Sequence, residues 1–590
     1  MNNLQQTYFA AIKEFQHQLK HQKKKLLVSS LIRLAVFFLI AFALYFFWGK
    51  DKWIIGILIL GIAAFIFLVK RHTNLKHQKV KLDHLITINE NEIKVLHKDF
   101  SHQASGEEYL DHSHAYAQDI DLFGEKSFFQ YLNRTSLKSS EKKLAQLLTS
   151  NSIEAIDQKQ KAIQELAAKM EFRQAFSAEA KMVHTETSPE DVAQSLLHYK
   201  AFVPKVMRWF PYVFSALSVL VFILLFLDFI GLSQLLLWLV LGLGITGIFI
   251  GKTQKLSSFA NQAQSIFQQY ATLVKLLEEQ NFDANLLKTF QAEVKSTKGV
   301  SSELMHQFAK KIDALEQRNN FLLGFVLNGF FLWDLQKSHP IEQWIAQHAA
   351  NYQKWIAVVH LFDAYNSLGN FAFNHPTYTY PKLTSEGPIL KAKQAVHPLI
   401  DSASAVRNDV EIGVDNFLII TGANMAGKST FLRTLSLQIV MANLGLPVCA
   451  SAVHYRPIQL ITSMRTVDSL ADEASYFFAE LTRLKYIVEQ LQNQTYFIVL
   501  DEILKGTNST DKANGSKDFM KKLLKFNSVG VIATHDLSLC EIAEEYPQVK
   551  NFYFDATIKD DELSFDYLMK PGICQNMNAS FLLRKMGIVD

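Results

Sequence analysis

Four long apolar runs constrain this chain more than any other feature. Leu26 to Trp48 carries Arg33 as its one charge, a Gly49-Lys50-Asp51-Lys52 link follows, and Trp53 to Val69 is closed by Lys70 and Arg71. A second pair, Trp209 to Leu227 and Leu232 to Ile250, is joined by Asp228-Phe229-Ile230-Gly231. At about 1.5 Å of rise per residue, each run is about as long as a hydrocarbon core of roughly 30 Å is thick. Backbone in such a core finds no water to bond, so the runs must be helical. The sequence therefore predicts two transmembrane helical hairpins, over 26–71 and 206–251. No small-residue cleavage site follows the first run, and a second span comes at once, which argues against a removed leader. No ionisable residue sits mid-span as a transport path requires, because Arg33 can snorkel to the interface; the spans read as anchors. A fifth stretch, Phe321 to Leu335, is short, carries Asn328 and Asp334, and is expected to be a buried core helix.

The flanks give an orientation. Residues 1–25 have the spacing of an amphipathic helix (Leu4, Tyr8, Ile12, Phe15, Leu19) and end in Lys20, Lys23, Lys24 and Lys25. Lys70 and Arg71, Lys205 and Arg208, and Lys252 and Lys255 mark the other outer ends. An excess of cations belongs on the cytoplasmic side. The expectation is a multi-pass protein of the cytoplasmic membrane with both termini inside.

The remainder is long enough for several soluble domains. The chain has 590 residues, of which 49% are apolar and 20% charged, which excludes a disordered chain. A net charge of +4 is too small for a dedicated polyanion binder, and Cys449, Cys540 and Cys574 form no CxxC pair. A disulfide framework or structural zinc is not expected, and a reducing cytosol fits. Residues 72–205 and 252–375 read as two parts of a helical core, with Leu144, Leu147, Leu148, Ile153 and Ile156 as one of its runs. From Pro376 to Pro388 the composition shifts to Pro, Thr, Tyr and Gly, and beyond this boundary residues 376–590 alternate β-type and helical stretches as an α/β domain does. Asp111, His112, His114, Asp119 and Asp121 are metal-ligand types, but nothing fixes them on one side, and a solvated loop is expected.

The chemistry concentrates in that last domain. Gly422-Ala-Asn-Met-Ala-Gly427-Lys428-Ser429 matches G-x-x-x-x-G-K-[ST], after the apolar run Phe417-Leu-Ile-Ile420 and before a helical stretch from Thr430 to Leu444. Glycines let the backbone turn its N–H groups onto phosphates, and the helix start favours negative charge. Lys428 would neutralise the β- and γ-phosphates of ATP, and Ser429 would ligate Mg²⁺. The run Tyr496-Phe-Ile-Val-Leu500 reads as a central parallel strand and delivers Asp501 and Glu502 at its carboxyl end. Asp501 would hold Mg²⁺ through water, and Glu502 would act as general base on the attacking water. Val529-Gly-Val-Ile-Ala533 ends in Thr534-His535, which brings an imidazole toward the γ-phosphate.

Thr421-Gly-Ala-Asn-Met-Ala-Gly-Lys-Ser-Thr-Phe-Leu-Arg433 resembles the nucleotide loop of MutS-type ATPases, a branch of the ABC superfamily. The resemblance continues through His397-Pro398, Asn408-Asp409, Ser475-Tyr-Phe-Phe-Ala-Glu480, Asp501-Glu-Ile-Leu-Lys-Gly-Thr507, Ala533-Thr-His535 and the stretch from Ser580 to Arg584. Leu132-Asn-Arg-Thr135 and residues 160–166 look like the helical core that precedes the ATPase, so the likeness runs from about residue 110 to the end. It implies an ABC-type P-loop α/β ATPase domain behind an all-α core and lever, here interrupted by the two hairpins. It also implies ATP with Mg²⁺, DNA as partner, and a head-to-tail homodimer. Its composite site would comprise residues 422–430 (Ala423, Asn424, Met425 and Ala426 between the glycines, Thr430 after Ser429) and Ser475 of the other subunit. Asn424 would help order the γ-phosphate. Ala423 and Ala426 stand where the family has Pro and Gly, and Ala426 then needs a negative φ. A hairpin takes the place of the mismatch-reading domain. Phe123-Gly-Glu125 and Phe478-Ala-Glu480 lie within other landmarks and cannot be its wedge, and residues 206–251 fall where a DNA-clamping insertion would sit.

Three readings follow: a membrane-anchored MutS-like ATPase, half of an ABC transporter or a membrane- or protein-remodelling ATPase without DNA, and a nucleotide-binding scaffold without turnover. The Leu-Ser-Gly-Gly-Gln signature of transporters is absent from the sequence, and Glu502 and His535 argue against the scaffold.

Overall fold

The computed structural model describes residues 2–49, 51–183, 187–295, 299–401, 403–465, 476–559, 562–575 and 588, and divides the chain into two units. The first comprises residues 7–90 and 171–363, and the second residues 1–6, 91–170 and 364–590.

Helices make up the first unit. The N-terminal amphipathic stretch and the first apolar run are one 45-residue helix, α1 (Asn2–Phe46), because nothing between Lys20 and Leu26 breaks a helix. The second apolar run likewise continues into α2 (Asp51–Leu96). The two lie antiparallel: the Gln22 amide donates to the Leu75 carbonyl (3.1 Å) and to Gln78 Oε1 (2.9 Å), and His72 meets Ser29 at 3.3 Å. Both are long and apolar enough to cross a membrane. Phe37, Phe38, Leu39 and Phe42 are exposed.

The second pair is shorter than its sequence suggests. α3 (Phe210–Phe226) has 17 residues, about 26 Å of helix. α4 (Leu232–Gly247) ends before Ile250, and α5 (Ile250–Glu279) leaves it at 67°. Below this break α5 packs on α6 (Ser301–Glu316). After α7 (Phe321–Phe331), α8 (Trp333–Asn374) completes an aromatic core in which Phe267 stacks on Tyr352 (centroids 4.3 Å) and Phe308 on Trp344 (4.0 Å). Contrary to expectation, α7 is not a buried core helix. It docks on α3 and α4 by one side and leaves Phe321, Leu322, Phe325 and Val326 exposed.

The second unit is built on two sheets. Strands β1 (Lys382–Leu383), β2 (Leu390–Ala395), β3 (Asn408–Ile412), β4 (Phe417–Gly422), β5 (Ala452–Tyr455), β6 (Gln459–Ser463), β7 (Tyr496–Asp501), β8 (Val529–Ala533), β9 (Val549–Lys559) and β10 (Glu562–Pro571) form a small sheet ordered β1-β5-β2-β3 and a larger one ordered β10-β9-β4-β8-β7-β6. In the larger sheet only β10 is antiparallel. The apolar runs of the sequence are its central strands, buried on both faces as a parallel sheet requires. Phe417, Ile419, Ile498, Leu500 and Ile532 pack under α10 (Tyr476–Leu491) and α11 (Ser509–Lys525), and α9 (Lys428–Asn443) follows β4.

Residues 111–151 cover the edge strand β6. The Thr462 N–H donates to the Ala115 carbonyl (2.9 Å), and Leu460 exchanges two 2.9 Å bonds with the Asn151 side chain. The loop expected to be solvated is half buried in this seam. Asp119, 5% exposed, accepts from the Thr462 hydroxyl (2.5 Å) and from the N–H groups of Met464 (3.1 Å) and Arg465 (2.9 Å). Asp121 pairs with Arg433 and Arg465, and His114 bonds the Thr149 carbonyl. Among the described residues no cluster of three His, Cys, Asp or Glu could hold a metal. Asp119→Ala removes the acceptor of the buried Met464 N–H and of the part-buried Arg465 N–H and leaves the Thr462 hydroxyl only the Ala115 carbonyl, so it should lower stability by about 2 kcal/mol. A denaturant midpoint equal to the parent's would show that the seam is not held this way.

Candidate functional site

The turn after β4 determines where the backbone can go. Gly422 has φ 149°, and a Cβ there would lie 2.6 Å from the Phe554 carbonyl oxygen. Met425 (φ 67°) and Gly427 (φ 103°) take the left-handed region, whereas Ala426 does not, so the alanine is accommodated. α9 begins at Lys428, and its free N–H groups open onto the loop.

Lys428 is 5% exposed, and burial lowers its pKa. Its ammonium donates to the carbonyls of Gly422 (2.9 Å) and Ala423 (3.0 Å) and lies 3.2 Å from His535 Nε2. The Ser429 hydroxyl donates to Asp501 Oδ2 at 2.6 Å, and burial raises the Asp501 pKa. A hydroxyl and a carboxylate are hard oxygen donors, and adjacent ligands of an octahedral Mg²⁺ lie about 3 Å apart, so this pair fits that cation with little movement. Mg²⁺ usually takes its other ligands from substrate phosphates and water, so two protein oxygens suffice.

Glu502 and His535 are placed by the ladder itself. The Glu502 N–H donates to the Ala533 carbonyl (2.9 Å) and that of Thr534 to Ile420 (3.0 Å), so both loops extend from paired strands. Glu502 sits at φ 51°, a strained conformation for a glutamate, and its Oε1 lies 2.8 Å from His535 Nε2. That nitrogen can donate to Glu502 or accept from Lys428, not both at once; its tautomer links the two. The hydrogen bond from His535 holds the Glu502 carboxyl at about 2, aided by Lys505 and Lys428 and opposed by burial. The following loop is tied down by Glu480, which accepts from the N–H groups of Leu504 (2.6 Å) and Lys505 (3.0 Å).

A cavity of about 570 Å³ opens beside the loop, bordered by Asn424, Lys428, Ser429, Thr430 and Glu502. Sequence reasoning missed its far wall. Tyr567 comes from a bulge in β10 (φ 53°), is held through Asn408, and stands over Gly427. A tyrosine in a bulged hairpin carries no spacing signal. Val406 and His397 also line the cavity, and burial, with Arg433 nearby, pushes His397 down to about 4, so it presents a neutral ring. Ser475 and the stretch from Ser580 to Arg584 lie outside the described residues.

Known proteins share this domain. Residues 418–583 match the family model of MutS domain V. The C-terminal domain is related to the MutS family. This chain is similar to the DNA mismatch repair protein MSH4 of Arabidopsis thaliana, 32% identical over 213 residues, which are 35% of this chain and 27% of that protein. The DNA mismatch repair protein MutS of Methanococcoides burtonii is 30% identical over 253 residues, 41% of this chain and 28% of the relative. MutS protein homolog 4 of Homo sapiens is 31% identical over 212 residues, covering 34% and 22%. The matches thus span about a quarter of the relatives' length, and a smaller part of this chain than the stretch from residue 110 expected from its landmarks. The MutS domain V match takes in the whole glycine loop, Asp501, Glu502 and His535.

Proposed function

We propose that this protein is a MutS-type ATPase that hydrolyses ATP with Mg²⁺ at composite sites in a homodimer, and that its apolar helices anchor it in a membrane. The observation that carries the enzymatic part is that Lys428, Ser429 and Glu502 line one cavity, with Asp501 hydrogen bonded to Ser429 and His535 in contact with both Glu502 and Lys428 behind them. Lys428 and the N–H groups of the loop bind the triphosphate; Ser429 and Asp501 would hold Mg²⁺, which would supply charge to offset the phosphates. Glu502, ionised and aimed by His535, takes the proton of the attacking water. Ser475 of the second subunit completes the site in trans. Members of the MutS family are dimeric, DNA-binding ATPases, which supports DNA as the partner. The test is the ATPase rate with and without duplex, mismatched and branched DNA across a salt series. Stimulation should fall steeply as salt rises, since phosphate contacts release counterions. A rate indifferent to every nucleic acid would remove DNA and leave the reading of a membrane- or protein-remodelling ATPase.

What supports the anchor is the length of α1 and α2, their exposed apolar surface, and the basic residues at the outer ends of both hairpins. The protein is then a multi-pass component of the cytoplasmic membrane with its termini and ATPase domain inside. An impermeant thiol reagent applied from outside should modify Gly231→Cys and spare Ser105→Cys. The reverse pattern would contradict the assigned orientation.

A further inference from the structure

α7 spans 11 residues, about 16 Å of helix, half of what a bilayer core requires. From Phe321 to Leu327 it has no polar side chain, and Phe321 and Leu322 are 81% and 75% exposed. Its other side is fitted to the second hairpin. A Cβ on Gly242 would strike the Gly329 carbonyl, and one on Gly329 would strike Leu239, so the backbones touch. The Ser218 hydroxyl donates to the Phe330 carbonyl (2.6 Å) and accepts from the Trp238 indole (2.7 Å). Such small-residue contacts and hydroxyl bonds are how helices associate where water is absent.

The residues flanking α7 fold back along it, Arg318 against Gly324 and Asp334 onto Asn328. Arg318 precedes it and Asp334 follows it, 16 positions on; a helix running straight through that interval would hold them about 24 Å apart. Instead their side chains pair at 3.0 Å, both nearly buried, with Asn328 (3.1 Å) and Thr253 (3.5 Å) on the same carboxylate. Thr253 belongs to α5, just below the hairpin. Trp333, with Lys337 4.0 Å from its ring, sits at the same return, an amphipathic pair of the kind found at membrane interfaces.

We infer that α7 is a re-entrant helix, inserted in one leaflet of the bilayer and returning to the side from which it came, with lipid acyl chains covering Phe321, Leu322, Phe325 and Val326. The inference rests on the anchor reading and deepens it. A protein partner fits less well, because the exposed face offers no polar group to fix a register and directly abuts the apolar hairpin. Hairpin and wedge together form an asymmetric insertion that occupies more of one leaflet than of the other.

The test uses the full-length protein in nanodiscs whose lipids carry a quencher near the headgroup or deep in the acyl chain. A fluorophore is placed at Leu322→Cys, Phe325→Cys or Leu236→Cys; the native cysteines are buried. At Leu322 and Phe325 the shallow quencher should act about twofold more strongly than the deep one, as for a helix confined to one leaflet. At Leu236, about one turn into α4 from the 228–231 loop, quenching of either kind marks the hairpin as inserted. Asn319→Cys and Lys337→Cys should both react with an impermeant reagent from one and the same side. Quenching at Leu236 alone overturns the wedge and spares the anchor; if a disulfide or cross-link then joins two copies through Leu322, a second chain is the occupant. Dominant deep quenching at Leu322, or labelling of Asn319 and Lys337 from opposite sides, overturns the wedge in favour of a spanning helix. No quenching at any position overturns both.

Discussion

Glu502→Gln should leave ATP bound while turnover falls by about 10²- to 10⁴-fold, the usual contribution of a positioned general base. The amide keeps the size of the side chain and can still meet His535, but it cannot take a proton. Nucleotide retained after gel filtration, together with a persistent dimer, is the expected signature; normal turnover would remove Glu502 from this role. The same carboxylate sets a pH dependence. Its folded pKa of about 2 lies below the ordinary 4.5, so the interaction with His535 contributes stability in full above pH 4.5. That contribution is lost as pH falls from 4.5 toward 2. The stability difference between parent and Glu502→Gln should therefore shrink over this window, and the acid limb of the rate profile should not fall at 4.5.

Lys428→Ala should abolish nucleotide binding, with turnover down by about 10²-fold or more, since a buried cation aimed at developing phosphate charge is worth several kcal/mol. Folding should survive, because Lys428 lines the cavity, so water can enter the space its side chain leaves and bond the carbonyls of Gly422 and Ala423. Mixing this variant with Ser475→Ala tests the composite site. If Ser475 works in trans, a mixed dimer carries both lesions in one site and keeps the other intact, so one nucleotide per dimer is retained and some turnover returns. If both residues serve the same site in cis, each subunit has one dead site and mixing restores nothing.

Much of this domain could be read in the sequence because its signals are local. Phe417–Ile420, Tyr496–Leu500 and Val529–Ala533 are continuous apolar runs, and only strands buried on both faces need such runs. The glycine loop is legible for the same reason: a left-handed turn and a close approach to Phe554 admit few residues. Ala426 was decided by the neighbouring residue, since Met425 takes the left-handed conformation instead. What escaped depends on distant pairing. Asp119 resembled a solvated carboxylate until its acceptors were matched with N–H groups more than 340 positions away. Tyr567 owes its place to a bulge, which leaves no periodicity. α7 has the apolar composition of a core helix, and only its neighbours distinguish burial in protein from exposure.

The seam at Asp119 has a consequence for how the protein is made. Asp119 and Met464 are 345 residues apart, and residues 171–363, which belong to the other unit, are synthesised between them. At about 5–20 residues per second, the segment that will cover β6 leaves the ribosome roughly 20–70 s before that strand exists. Throughout that interval Ala115 lacks the core it packs against, and Tyr116 lacks Val440 and Leu444, beside which it is buried in the finished unit. The nascent chain thus carries an early, unsatisfied apolar segment that a chaperone or a provisional fold must shield, and truncations ending before residue 464 should be captured by holdases far more than the full-length chain.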